Sequence, residues 1–207
     1  METYKADTLV MLSGGLDSTA MLYKLLTTEP ERKLHVHHLS IQGWENNTKH
    51  LAEQAAVQNI IEYLADFDFV YSENAYQFDH RAFDQMVYYY HAACLAASDL
   101  NIKEVAIGRI KTDIEAEANQ VISPTKAGRA IFEIVIETWP RRRGHRPQLI
   151  FPVEELNKQE LIKLLPEELF KMTCSCRKPR IVQNILEICG RCRKCREIKN
   201  AKSNTRV

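Results

Sequence analysis

Thr8-Leu9-Val10-Met11-Leu12-Ser13-Gly14-Gly15-Leu16-Asp17-Ser18-Thr19-Ala20-Met21-Leu22 decides the fold. Five apolar or β-branched residues, Thr8 to Leu12, predict a buried strand. Two glycines then allow a sharp turn and a close backbone approach to a ligand. From Thr19 to Leu26 the apolar spacing predicts a helix. The N–H groups at such a helix start have no partner within the helix, and the dipole end is positive, so the turn suits a phosphate. Ser13, Ser18 and Thr19 add hydroxyl donors. The plainer reading is an ordinary turn capped by Asp17 or Ser18.

The chain has 207 residues, enough for one sizeable core and an appendage. A net charge of +1 gives no global field toward nucleic acid or membrane. The basic residues are unevenly placed, concentrated in 171–207 and at Arg141-Arg142-Arg143. Residues 1–7 lack a signal-peptide core, and no apolar run reaches the length of roughly 18 to 20 residues that spans a bilayer. A cytoplasmic location is expected, where disulfides are rare.

Further along, Leu34 to Ser40 predicts a second strand, with His35 and His37 on one face and His38 on the other. These histidines are expected at a strand edge rather than on a metal, and Ser40 is expected to border a nucleotide. Asn46 to Leu64 predicts a helix with Leu51, Ala55, Ile60, Ile61 and Leu64 inward. Phe67 to Tyr71 predicts a strand. Phe78 to Leu100 predicts a long helix with Phe83, Val87, Tyr90, Cys94 and Ala97 on one face, and one buried ring in Tyr88-Tyr89-Tyr90. Glu104 to Gly108 is the next strand, and Arg109, Lys111 and Asp113 follow its C-terminal end, where open α/β sheets bind ligands. A helix from Ala127 to Thr138 precedes a basic loop, Arg141 to Arg146, which is either a clamp or a linker. Leu149 to Phe151 is a last short strand. Asn157 and Glu160 mark a capping box. Strands alternating with helices predict a parallel, doubly wound α/β sheet.

Cys176-x12-Cys189-Gly190-Arg191-Cys192-Arg193-Lys194-Cys195 is the second strong pattern. Four thiolates match a closed tetrahedral zinc site, and basic neighbours offset their charge. Cys174 is an alternative to Cys176, and an iron–sulfur cluster is the rival cofactor. A 171–207 zinc-binding module would draw its folding energy from the metal, leaving 1–170 as the main domain.

Ser13-Gly14-Gly15-Leu16-Asp17-Ser18 resembles the phosphate loop of the N-type ATP pyrophosphatases (PP-loop enzymes); no lysine follows the glycines, unlike the Gly-x4-Gly-Lys loop. Together with Gly108 to Asp113, Phe151-Pro152, Asn157-Lys158, Thr173, Ser175-Cys176 and the cysteine tail, it resembles the 7-cyano-7-deazaguanine synthases. That resemblance implies a Rossmann-like, adenine nucleotide alpha hydrolase-like sheet and a structural zinc held by Cys176, Cys189, Cys192 and Cys195. It implies ATP and magnesium, with Leu12 to Thr19, Ser40 and Gly108 at the nucleotide and Asp17, Lys111 and Asp113 as catalytic candidates. The implied reaction joins 7-carboxy-7-deazaguanine and ammonia through an adenylated intermediate, in a homodimer with no direct nucleic-acid contact.

The chain departs from that family at Ile41 to Asn47 and at Ile114 to Gln120, where the family's deazapurine-contacting stretches stand. Another carboxylate or another amine therefore stays open, as does a tRNA-modifying PP-loop enzyme. A non-catalytic binding module is the remaining class, and it leaves the intact phosphate loop without a purpose.

Overall fold

The computed structural model of the protein describes residues 4–42, 48–78, 84–118, 123–139, 144–182 and 185–203. Its elements run β1 (Thr8–Met11), α1 (Leu16–Thr28), β2 (Leu34–Gln42), α2 (Lys49–Tyr63), β3 (Phe69–Gln77), α3 (Asp84–Ser98), β4 (Glu104–Ile107) and α4 (Lys111–Ala118). They continue as α5 (Pro124–Thr138), β5 (Gln148–Ile150), α6 (Lys158–Leu164), α7 (Glu167–Met172), β6 (Arg180–Val182), β7 (Ile185–Glu187) and α8 (Arg193–Ser203).

Five parallel strands form one sheet in the order β3-β2-β1-β4-β5. This is the doubly wound α/β arrangement, and β1 is its centre. Side chains alternate across β1: Leu9 and Met11 enter one core, Val10 and Leu12 the other, and all four are fully buried. A strand covered on both faces reads as a continuous apolar run, which is why Thr8 to Leu12 carries so clear a signal. Helices α3 and α5 cover the Leu9 face; α1, α2 and α6 to α8 lie on the other. Chain order reverses between β1 and β4, and at such a switch point a crevice opens beyond the C-terminal strand ends.

Several elements differ from their sequence expectation. β3 runs on to Gln77, six residues past Tyr71. Helix α5 begins at Pro124, because Ser123 caps it by accepting the Lys126 N–H at 3.1 Å and proline suits the first helical position. On α2, Leu51 faces solvent while Ala52, Ala56, Val57 and Ile60 are buried. On α3 the buried face is Tyr89, Ala92, Ala93, Ala96 and Ala97, and Tyr90 is exposed. Cys94 is half-buried at the edge of that face. The Asn157–Glu160 capping box is present on α6.

The three histidines of β2 are hydrogen-bonded. His35 Nε2 and His37 Nδ1 both meet Ser72 Oγ, at 2.6 and 2.7 Å; His37 Nε2 meets His91 Nε2 at 2.9 Å, and His91 Nδ1 meets Tyr76 OH at 2.8 Å. His38, on the opposite face, donates from Nδ1 to the Leu12 carbonyl at 2.9 Å. Neutral rings satisfy the chain in one direction, His37 and His91 each donating once and accepting once. An added proton turns an acceptor into a donor and sets it against its neighbour. Burial, and the other histidines after it, pushes His37 down to about 3; burial also lowers His35, His38 and His91.

These histidines make stability rise with pH. Below the unfolded-state value near 6.5 the unfolded chain binds protons that the folded chain refuses, so stability falls from there toward pH 3. His37 alone accounts for a loss of about 2 kcal/mol between pH 7.5 and 5, at about 1.4 kcal/mol per unit below 6.5. Urea unfolding at both pH values should show it, with a shallower slope in His37→Asn. Equal slopes would mean the rings titrate freely.

Candidate functional site

Leu12 leaves the sheet with its N–H donated to the His37 carbonyl at 2.8 Å, and the chain turns at once into α1. Gly14 has φ +74, a conformation that L side chains rarely adopt, and a Cβ there would sit 2.9 Å from the Glu53 carbonyl oxygen. Gly15 is the N-cap of α1 and offers no side-chain cap. The serines brace the turn instead. Ser13 N–H donates to Ser18 Oγ at 3.1 Å, and the two hydroxyls lie 3.0 Å apart. Ser18 and Thr19 donate to the Gly15 carbonyl at 3.2 and 2.8 Å. The result is a rigid loop with the first turn of α1 facing the crevice.

Gly108, one residue beyond β4, forms the opposite wall. A Cβ there would lie 2.7 Å from both the Cα and the N of Ser18, so only glycine lets this strand end touch the helix start. Between the walls lies a cavity of about 190 Å³, lined by Ser13, Gly15, Asp17, Ser18 and Gly108 from the loop and β4 side. Lys49 and Glu53 of α2 and residues 174–177 and 194 complete it. It is smaller than the roughly 300–1,000 Å³ of whole-ligand pockets. A larger cleft of about 820 Å³ lies at the other end of the strands, around Arg32, Glu104 and Gln148. Strand C-terminal ends, not that cleft, carry the ligand chemistry of this fold.

Two carboxylates of the region are held by lysines. Asp17 pairs with the buried Lys158 at the start of α6. Asp113 accepts from Lys194 Nζ at 3.1 and 3.2 Å and lies 3.5 Å from Arg193. Burial alone would raise the Asp113 carboxyl, but Lys194, with Lys158 and Arg109 behind it, takes it below the usual carboxylate value. Lys111 is exposed at the start of α4 and does not line the cavity. Ser40 is buried on β2, and its hydroxyl has no hydrogen-bond partner among the described residues. Leu12, Leu16 and Thr19 are buried supports of the loop.

The four sulfurs of Cys176, Cys189, Cys192 and Cys195 lie within 4.8 Å of one another. The antiparallel β6–β7 hairpin returns the chain from Cys176 to Cys189, and the start of α8 supplies the last pair. Backbone N–H groups point at sulfur: Cys189 N to Cys176 Sγ and Cys192 N to Cys189 Sγ, both 3.3 Å. Such bonds stabilise thiolates: N–H groups of Arg191 and Cys192 lower Cys189, whereas burial raises Cys176 and Cys195. Burial raises Cys192, yet N–H groups of Arg177 and Cys195 and the neighbouring thiols bring it to about 6. The edge of a tetrahedron of sulfurs bound at about 2.3 Å is about 3.8 Å, so the set fits a single four-coordinate metal ion. Cys174 lies outside the set; its N–H donates to the Gly14 carbonyl at 2.8 Å.

Of the residues that the sequence singles out, Ser13, Gly15, Asp17, Ser18, Gly108 and Cys176 line one crevice, and Cys189, Cys192 and Cys195 cluster with Cys176 beside it. No role is legible in the sequence for Lys158, Ser175 or Arg177, and Lys194 reads there only as a charge beside the thiolates, not as the partner of Asp113. Lys158 follows the capping-box Asn157, and Ser175 precedes a cysteine ligand; those neighbours were the available signals. Residues 43–47, 119–122 and 140–143, which include parts of the two divergent stretches and of the basic loop, lie outside the described residues.

No family model matches the chain, and no curated protein sequence is similar to it. Among solved structures it is similar to the U34-tRNA thiolase NcsA from Methanococcus maripaludis, described with its [4Fe-4S] cluster. The TM-score is 0.50 at 14% identity, over 98% of this chain and 67% of that one. At that identity the likeness speaks for the fold. The chain has a Rossmann-like α/β fold, similar to that of this thiolase, with a four-cysteine cluster able to hold a metal set against it.

Proposed function

We propose that the protein is an ATP-dependent enzyme that adenylates a carboxylate and passes the acyl group to ammonia, with 7-carboxy-7-deazaguanine as substrate. The observation that carries this is one cavity lined both by the phosphate loop and by residues 174–177, which include the clustered cysteine Cys176. In this reading the β- and γ-phosphates lie on Ser13 to Thr19. A substrate carboxylate oxygen attacks the α-phosphorus, a new P–O bond forms, and the bridging bond to the β-phosphate breaks to release pyrophosphate. First-turn N–H groups and hydroxyls stabilise the charge that grows on that leaving group. Ammonia then attacks the acyl carbon and AMP departs, leaving the amide. A second ATP activates the amide oxygen, and loss of AMP and a proton gives the nitrile. Magnesium brought with ATP offsets phosphate charge, and Asp17 is the loop carboxylate nearest to that work.

The cysteine centre is read as structural zinc. Thiolates of a [4Fe-4S] cluster sit on separate irons and are spread further than sulfurs sharing one ion.

The second reading is a tRNA-modifying enzyme. It is favoured by the kind of protein NcsA is and by the charge of residues 171–207, eleven Lys or Arg against two acidic residues. Pyrophosphate release separates the two. ATP and ammonia with 7-carboxy-7-deazaguanine should give turnover that Asp17→Ala abolishes. Turnover that needs tRNA and a sulfide donor, with none from the deazapurine, would transfer the assignment to the second reading.

A further inference from the structure

We infer that Ser175 is a phosphate-contacting residue held in place by the adjacent metal ligand Cys176, so that occupancy of the cysteine centre sets the affinity for ATP. This rests on the ATP reading above.

The Ser175 hydroxyl accepts the Leu16 N–H at 2.9 Å across 159 residues of chain. That N–H belongs to the first turn of α1, the set a phosphate would use. The bond occupies a lone pair of Ser175 Oγ and leaves its proton without an acceptor among the described residues, on a side chain that lines the cavity. The hydroxyl therefore replaces one donor with another, moved toward the phosphate space. Ser175 Oγ packs directly on the helix start, where a Cβ at Gly15 would be in van der Waals contact with it at 3.4 Å.

Ser175 does not come from the phosphate loop, and its position depends on its neighbours. Cys174 N–H donates to the Gly14 carbonyl at 2.8 Å, and Cys176 is one of the four clustered sulfurs. On the far side of the centre, Lys194 stands between Cys192 and Cys195 and reaches Asp113. The cysteine segments thus grip the site at Gly14, Leu16 and Asp113. A metal ion pins Cys176 relative to α8; without it Cys174 stays bonded to Gly14, and the Ser175 hydroxyl loses the restraint that its other neighbour gave. Ser13 and Ser18 brace the loop from within and are independent of the metal.

Calorimetric titration of the full, zinc-loaded chain with ATP tests this, with metal content measured on each sample. Ser175→Ala should retain one zinc per chain and bind ATP about tenfold more weakly, a charged hydrogen bond's share. Ser175→Thr should recover most of that loss. Chelation of the wild type should weaken ATP to a similar extent, and chelation of Ser175→Ala should add little. Wild-type affinity in zinc-loaded Ser175→Ala, or the same chelation effect in both proteins, overturns the inference. Hydrogen exchange of the Leu16 amide gives a readout that does not need ATP: it should speed up in Ser175→Ala and on chelation. If the wild type binds no ATP, the ATP reading fails and the phosphate role with it. A Leu16 amide indifferent to metal sinks the mechanical link by itself.

Discussion

Gly108→Ala is expected to lower ATP-dependent pyrophosphate release by a hundredfold or more, about what a displacement near 1 Å costs a positioned reaction. The cause is backbone against backbone. The new methyl carbon would lie 2.7 Å from the Ser18 Cα and N and 2.8 Å from the Asp17 carbonyl carbon, and none of these can rotate away. Either β4 or the first turn of α1 must give, and α1 is fixed by the bonds among Ser13, Gly15, Ser18 and Thr19. The strain of overpacking is about 1–3 kcal/mol, so the variant should fold with a lower melting temperature. Circular dichroism and a steady-state assay on the same preparation separate loss of fold from loss of site. Near-normal turnover would remove Gly108 from the wall of the site.

The phosphate loop was legible because its signal is local: an apolar run, two glycines, hydroxyls, then helical spacing. Gly108 was legible for the same reason, standing one residue past an apolar strand. The partners that hold the carboxylates were not. Lys158 meets Asp17 across 141 residues and Lys194 meets Asp113 across 81, and local spacing has no means of announcing such pairs. Helix α4, Lys-Thr-Asp-Ile-Glu-Ala-Glu-Ala, has no apolar stripe to betray it. On α3 the expected face is Phe83, Val87, Tyr90, Cys94 and Ala97; Phe83 lies outside the described residues, Ala97 is buried and Val87 packs on the core, but Tyr90 is exposed. The face centres on Tyr89 and four alanines, Ala97 among them, because the helix packs against α5 through small side chains. For the cysteine tail the ligand spacing was plain, whereas its placement beside Gly14 and Leu16 was not, since Cys174 and Ser175 reach the loop through one backbone and one hydroxyl contact.

Purified protein should carry one zinc per chain and no stoichiometric iron, and removing the metal should lower the melting temperature by roughly 10 to 20 °C. That drop corresponds to several kcal/mol, at about 2–4 °C per kcal/mol for a chain of this size. Structural zinc binding supplies on the order of 10 kcal/mol in isolated fingers, but here part of the segment is anchored without it. Cys174, Cys176 and Cys195 are buried in the same apolar cluster as Leu16, Val57 and Leu169, and α8 packs on α6. The metal therefore adds to an existing interface rather than creating a core. Cys189→Ala should reproduce most of the loss, because it removes a ligand and the acceptor of the Cys192 N–H. Cys174→Ser should keep the zinc, since that sulfur lies outside the cluster of four and its neighbourhood is held by a backbone bond. Elemental analysis with thermal unfolding decides the matter. Four irons per chain with an iron–sulfur absorbance would require the sulfurs to move apart from their 4.8 Å spacing, and would bring the chemistry of the cysteine centre, not only its position, into the reaction.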